Sequence, residues 1–413
     1  MSTTAAPRKD PKTGTWWFVV DLPPDARGRR RQAKRRGFPT KKAALEALDE
    51  LRSAARRGTF VAPQRQTLRA FLVDDWLPAM KRELEESTWE DYERKVRLHV
   101  VPYLGGAQLQ TIDAGSLNRL YADLLAGGRR DGRPGGLSPR TVRYIHAILH
   151  GALDDAVKWR RIPVNPADQA NPPSARSAKA PEMTVWSREQ LRRFLELSER
   201  DGGPDGPEPE FTPARHRFHF VWLFLATSGC RRGEALGLRW RDISFDEATA
   251  AIRQTVVPLR KPDGHGREAR IKPWTKTGRA RVIELDRQTL AALRTWRAHQ
   301  AEDRLLVGSA YEDNDLVFCR PDGRPYQPEY FSKMFDRTLA RLPYRDELPR
   351  IRLHDLRHTW ATLALVAGVD VRIVSERLGH SSPQITWQTY QHVIKGMQSD
   401  AAEKVAALIF GPA

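Results

Sequence analysis

Residues 354–358 read His354-Asp355-Leu356-Arg357-His358, and 378–383 read Leu378-Gly379-His380-Ser381-Ser382-Pro383, with Tyr390 seven residues further on. On a helix, His354 and Arg357 lie one turn apart and share a face. His354 and His358 also have the four-residue spacing of a zinc-protease helix, but that motif needs Glu after the first His, where Asp355 stands. A cation at Arg357 would oppose a metal as well, so no metal site is read here. Gly379 is suited to end a helix in the left-handed conformation. Ser382-Pro383 is suited to start the next helix, which would carry Tyr390. A lone tyrosine more often packs than reacts, so the weight falls on its companions.

Two segments further upstream add to the set. Thr227-Ser228-Gly229-Cys230-Arg231-Arg232-Gly233-Glu234-Ala235-Leu236 follows an apolar stretch, Phe218 to Ala226, and opens a helix. A helix start with an added guanidinium suits a phosphate. Trp274-Thr275-Lys276-Thr277-Gly278-Arg279-Ala280-Arg281-Val282 reads as a hairpin-like turn at Gly278, with Lys276 near its tip. Taken singly, each has a bland reading: a polar turn, a solvated lysine.

Together the four segments resemble the tyrosine recombinases, a family that includes phage integrases and Xer-type enzymes. Residues 227–234 are similar to the family's T-G-x-R-x-G-E box, 275–277 to its T-K-T hairpin, 354–358 to H-x-L-R-H and 378–380 to L-G-H. The resemblance covers 187–395 in detail and the rest of the chain by layout. It implies six catalytic residues: Arg231, Lys276, His354, Arg357, His380 and the nucleophile Tyr390. Arg232, Glu234 and His358 would support them.

These residue types suit phosphodiester exchange. A phenol has a pKa of about 10 and needs help to lose its proton at pH 7. By resemblance, Tyr390 attacks phosphorus and leaves a 3′-phosphotyrosyl enzyme with a free 5′-hydroxyl. Arg231 and Arg357 would hold the non-bridging oxygens, since guanidinium forks match phosphate and stay charged. His380 would add a donor, Lys276 would protonate the leaving oxygen, and His354 would exchange a proton near Tyr390. The covalent link conserves bond energy, so no ATP is needed, and the sequence has no Walker loop. No cofactor and no metal are expected.

The net charge of +18 points to a polyanionic partner. Residues 1–62 hold 15 Lys/Arg against 6 Asp/Glu, half of that excess. Trp16-Trp17-Phe18-Val19-Val20 reads as a strand, Arg29 to Phe38 as a basic strand, and Thr40 starts a helix with Ala44, Leu45, Leu48 and Leu51 on one face. This module, 1–62, resembles an arm-type DNA-binding domain, with Arg29, Arg31, Lys34 and Arg36 as candidate contacts. Region 66–166 is helical: Leu68, Phe71, Leu72 and Leu77 open it, Ser87 to Glu90 reads as a capping box, and Ser138-Pro139 starts a helix. It resembles a SAM-like core-binding domain that forms a clamp with the catalytic domain, with Arg140, Arg143 and Lys158 as candidate backbone contacts. Residues 167–186 read as a linker, 187–395 as a mixed α/β, mostly helical catalytic domain, and 396–413 as a short amphipathic tail that would dock on a neighbouring subunit. The expected fold class is therefore multidomain and mainly α, with small β-sheets.

Two cysteines in 413 residues exclude a disulfide framework and a Cys-based zinc site. No apolar run reaches the ~18 residues of a membrane helix, so the expectation is a nucleoid-associated protein of the bacterial cytoplasm. Expected partners are double-stranded DNA attachment sites, a homotetramer across two of them, and a directionality factor or DNA-bending host protein. The arm-like module favours integration or excision of a mobile element. Alternatives are Xer-type resolution and a type IB topoisomerase-like strand transferase.

Overall fold

A computed structural model describes residues 6–22, 29, 31–56, 60–179, 183–200, 217–261, 263, 265–273, 280–341, 343–391 and 409–411. The chain divides into two compact units, Met1–Ala180 and Pro181–Ala413.

In the first unit, strands Arg8–Lys9, Trp16–Leu22 and Arg31–Phe38 form an antiparallel sheet in sequence order. Helix Lys41–Arg56 covers one face. Thr40 Oγ1 accepts from the Ala43 amide at 3.1 Å, so the threonine does start that helix. Phe18, Val20 and Ala33 meet Ala44 and Leu48 in a small core, with Leu51 packed at its edge. Leu45, expected on the same face, is exposed: it lies about 100° around the helix from Ala44.

Residues 67–170 form a helical body around Leu68, Phe71, Leu72 and Leu77, all buried as the periodicity requires. Ser138 accepts from the Thr141 amide and Pro139 opens the long helix Pro139–Lys158. Val142, Ile145, Leu149 and Leu153 of that helix are buried. The proposed cap at Ser87 is corrected: the helix starts at Glu86, behind the extended backbone of Glu85, so Ser87 is already inside it.

The second unit is built around helix Arg217–Ser228, apolar on nearly all sides and buried along almost its whole length. Helices Arg188–Arg200, Arg287–Val307 and Asp355–Val366 pack against it. Ser187 and Gln190 cap the first of these reciprocally, as the Ser-x-x-Gln spacing of a capping box allows: the Gln190 amide donates to Ser187 Oγ and the Ser187 amide to Gln190 Oε1. Trp186, assigned to the linker, is instead core. It is 1% exposed, and its indole donates to the Pro349 carbonyl at 2.8 Å.

Strands Ile243–Ser244, Thr249–Ile252 and Arg281–Glu284 form one antiparallel sheet. The sequence suggests a strand pair near 250–257 and 281–285, and residues 249–252 do pair with 281–284. Residues 255–257, read as part of that same strand, belong instead to a separate hairpin of Thr255–Arg260 with Arg267–Lys272. Its charged return strand lacks the apolar alternation that would have disclosed it.

Candidate active site

The second unit brings three of the four sequence segments together within the described residues. Helix Arg217–Ser228 ends at Gly229, whose φ of +68° allows the sharp exit. A Cβ there would come within 2.8 Å of the Trp360 ring. Arg231 then stands immediately before helix Arg232–Leu236. Arg357 lies in the first turn of helix Asp355–Val366, directly after His354. Helix Val371–Leu378 ends at Gly379 in the left-handed conformation, φ +65° and ψ +46°, as its sequence predicts. Residues 383–391 are helical and carry Tyr390.

Backbone carbonyls hold both arginines. Arg357, 3% exposed, donates from Nη1 to the Gly229 carbonyl and from Nη2 to the Leu378 carbonyl, each at 2.8 Å. Arg231 donates from Nη2 to the Gly379 carbonyl at 3.1 Å and from Nη1 to Glu234 Oε1 at 2.8 Å. The two guanidiniums thus hang from the same Leu378–Gly379 turn. Burial, then the charge of Arg231, lowers the Arg357 pKa to about 10, which still leaves it a cation at neutral pH. A pocket that pays for two adjacent cations is suited to an anion.

Glu234 is the counter-charge beneath them. It is 1% exposed and takes hydrogen bonds from the Arg231 amide, the Arg231 side chain and Arg281. Burial alone would raise its pKa; Arg281, then Arg231, overcome that and hold it at about 2.

His380 Nδ1 lies 2.7 Å from the buried Thr386 hydroxyl. Its pKa is pushed down to about 4, first by lost hydration and then by Arg357 and Arg231, so the ring is neutral at pH 7. His354 is exposed, though protein crowds part of its ring. Its pKa is also lowered, by desolvation first and then by His358 and Arg357. The His354 and His358 rings meet edge to face at 5.0 Å.

Tyr390 is fully buried among Ala361, Leu365, Val374 and Leu378. Burial pushes its pKa up to about 12, against a smaller opposing pull from Arg357. Its hydroxyl is 2.8 Å from His358 Nδ1. The histidine paired with the tyrosine is therefore His358, assigned from sequence to a supporting role. The 32-residue separation of the pair gives no local signal of it. Lys276 lies outside the described residues.

The candidate DNA contacts fall in the first unit. Lys34 is exposed, with Nζ 4.7 Å from the Trp17 ring centroid; Arg8 approaches the same ring at 5.9 Å. Arg29 and Arg36 are exposed. Arg31 pairs with Leu22, at a register position of the same parity as Ala33 rather than Lys34. Arg140 is exposed, Arg143 donates to the Pro173 carbonyl at 3.1 Å and Lys158 to Asp155 at 3.0 Å. Of the proposed tail only 409–411 are described, with Ile409 exposed.

Residues 187–397 match the family model for the phage integrase family, residues 7–55 the arm DNA-binding domain and residues 69–125 the N-terminal SAM-like domain of phage integrases. The chain belongs to the phage integrase family, the tyrosine recombinases. It is 26% identical over 377 residues to a "Tyrosine recombinase XerC-like" protein of Caldanaerobacter subterraneus subsp. tengcongensis, covering 88% of this chain and 89% of the relative. It is 24% identical over 338 residues to the ICEBs1 integrase of Bacillus subtilis, covering 82% of each. Among solved structures, the fold is similar to the Tn1549 transposon integrase in complex with a circular intermediate DNA, at TM-score 0.59 and 17% identity, covering 76% of this chain and 93% of that one. A lambda integrase tetramer bound to a Holliday junction matches at TM-score 0.55 and 15% identity, covering 93% and 94%. The expected multidomain fold with small sheets is thereby borne out. No helix among the described residues is long and apolar enough to cross a membrane.

Proposed function

We propose that this protein is the integrase of a mobile element and recombines specific DNA sites through Tyr390. The observation that carries the assignment is the convergence of Arg231 and Arg357 on the Leu378–Gly379 turn, with His380 beside it and the His358–Tyr390 pair close by. The arm DNA-binding match at 7–55 favours integration over simple resolution.

The scissile phosphate would bind between the free edges of Arg231 and Arg357, with His380 donating from its remaining ring nitrogen. The Tyr390 oxygen attacks phosphorus while its proton passes to His358 Nδ1, which is neutral because burial lowers its pKa. The bond to the 5′ oxygen breaks, and Lys276 supplies that oxygen's proton. Reversal with the 5′-hydroxyl of a partner strand restores a phosphodiester. His354, next to His358, would polarise or relay rather than act first. Two guanidiniums aimed at the transition state contribute on the order of 3 kcal/mol each by analogy with oxyanion-hole donors. The protein cations thus supply the charge stabilisation that metal ions give elsewhere, and no ATP is consumed. Work at two sites implies a tetramer, with Lys34, Arg36, Arg140 and their neighbours on the DNA backbone, and a directionality factor or host bending protein as the accessory.

The test is recombination between two plasmid-borne attachment sites in EDTA and without ATP. Conservative exchange, with no free ends and no lost nucleotides, is expected. A product that appears only with Mg²⁺ or ATP, or relaxation of any supercoiled plasmid at equal rate, would overturn the assignment.

A further inference from the structure

Outside the six residues that the family resemblance supplies, one buried side chain, Arg281, ties Glu234 to the turn that carries Gly379. Arg281 is the first residue of strand Arg281–Glu284 and its side chain is 9% exposed. Its Nη2 donates to Glu234 Oε2 at 2.6 Å and its Nη1 to Glu234 Oε1 at 3.1 Å, a two-pronged pairing. Its Nε donates to the Arg377 carbonyl at 2.8 Å. Gly379 comes so close that a Cβ there would lie 3.0 Å from Arg281 Nη1.

Each contact faces something that holds the phosphate pocket. Glu234 orients Arg231 through both its side chain and its amide. The Arg377–Gly379 turn supplies the carbonyls that hold Arg231 and Arg357. Arg231 itself is 24% exposed and has a single carboxylate partner among the described residues. Without a second cation, a carboxylate as deeply buried as Glu234 would draw Arg231 down onto itself.

We infer that Arg281 is a positioning residue: by neutralising Glu234 and bracing the 377–379 turn, it leaves the free edge of Arg231 pointed at the scissile phosphate. The inference rests on the recombinase reading. Lysine cannot replace it, because one ammonium lacks the fork that serves Glu234 and the Arg377 carbonyl together.

The test compares single-turnover adduct formation by wild type, Arg281→Lys and Arg281→Met. One nicked site carries an ordinary scissile phosphate and the other a neutral methylphosphonate, which needs less from a guanidinium. On the phosphate we expect both variants to be slower by about 30- to 300-fold, somewhat less than the roughly 10²–10³-fold for outright loss of one charge-stabilising donor, since Arg231 is misaimed rather than removed. Their affinity for the site should stay within about threefold, because phosphate contacts elsewhere dominate binding. On the methylphosphonate the deficit should shrink to below about fivefold. A merely structural defect slows both substrates equally, and that result overturns the inference, as does a variant within threefold of wild type on the phosphate. The Lys variant retains the charge, so it guards against misfolding of the Met variant; thermal unfolding is recorded for each. A wild type that binds the site and never forms adduct overturns the recombinase reading itself, and this inference with it.

Discussion

Replacing His358 by phenylalanine removes the one group among the described residues within hydrogen-bonding distance of the Tyr390 hydroxyl. With the phenol pushed up to about 12, the tyrosinate fraction at pH 7 is about 10⁻⁵ of the enzyme. A mechanism that waited for that fraction would forfeit up to about five powers of ten. A positioned base recovers much of this by taking the proton during attack, and such bases contribute roughly 10²–10⁴-fold. His358→Phe should therefore cleave a nicked site about 10²–10³-fold more slowly at pH 7. Its log rate should then climb by close to one unit per pH unit up to pH 9, since hydroxide must now do the work. Wild type should be nearly flat over pH 7–9, because the lowered pKa keeps His358 neutral there. His358→Asn places an amide oxygen near the Nδ1 position and should recover alignment but not the flat profile. Single-turnover rates across pH 6–9 on a suicide substrate decide the matter. A His358→Phe enzyme within threefold of wild type, with the same pH profile, would refute the argument and return the proton to His354.

Three further outcomes follow from the same geometry. Gly379→Ala forces a Cβ into the left-handed region and against Arg281; it should cost about 1–2 kcal/mol and slow cleavage by more than that loss of stability explains, read by thermal unfolding beside single-turnover rates. Glu234 contributes stability because its pKa falls from the usual 4.5 to about 2. That contribution, on the order of 3 kcal/mol, is full above about pH 4.5 and is lost as pH falls through 2, so Glu234→Gln should destabilise the protein at pH 7, keep about half of that deficit at pH 3, and converge with wild type only below about pH 2 in urea melts. Deleting 1–62 should spare cleavage of a core site and reduce integration at least tenfold; equal integration by the truncated chain would remove the arm-binding role.

Much of the candidate site was legible because its parts are local. The Gly379 turn and the Arg231 helix start, like the Ser138 and Ser187 caps elsewhere in the fold, each rest on residues within four positions of one another, where steric and hydrogen-bonding rules act directly. What escaped was long-range. Arg281 meets Glu234 across 47 residues and Tyr390 meets His358 across 32, pairings that only the packing of distant elements creates. The same limit applies to the fold. Buried faces such as Leu68-Phe71-Leu72 announced themselves by period, whereas the hairpin Thr255–Lys272 did not, since its return strand Arg267–Lys272 alternates charges with few apolar residues. Ser87 looked like a cap by composition, but the backbone turned two residues earlier, at Glu85. Leu45 shows the complementary error: an apolar residue next to a stripe is not in it.

The central claim is that Tyr390 forms the covalent bond to DNA. Wild type and Tyr390→Phe are mixed in EDTA with a nicked suicide substrate carrying an attachment site that both bind. The account predicts a denaturation-resistant protein–DNA adduct, with phosphate on Tyr390, for wild type alone. An adduct that survives in Tyr390→Phe, or none from a wild type bound to its site, would contradict it.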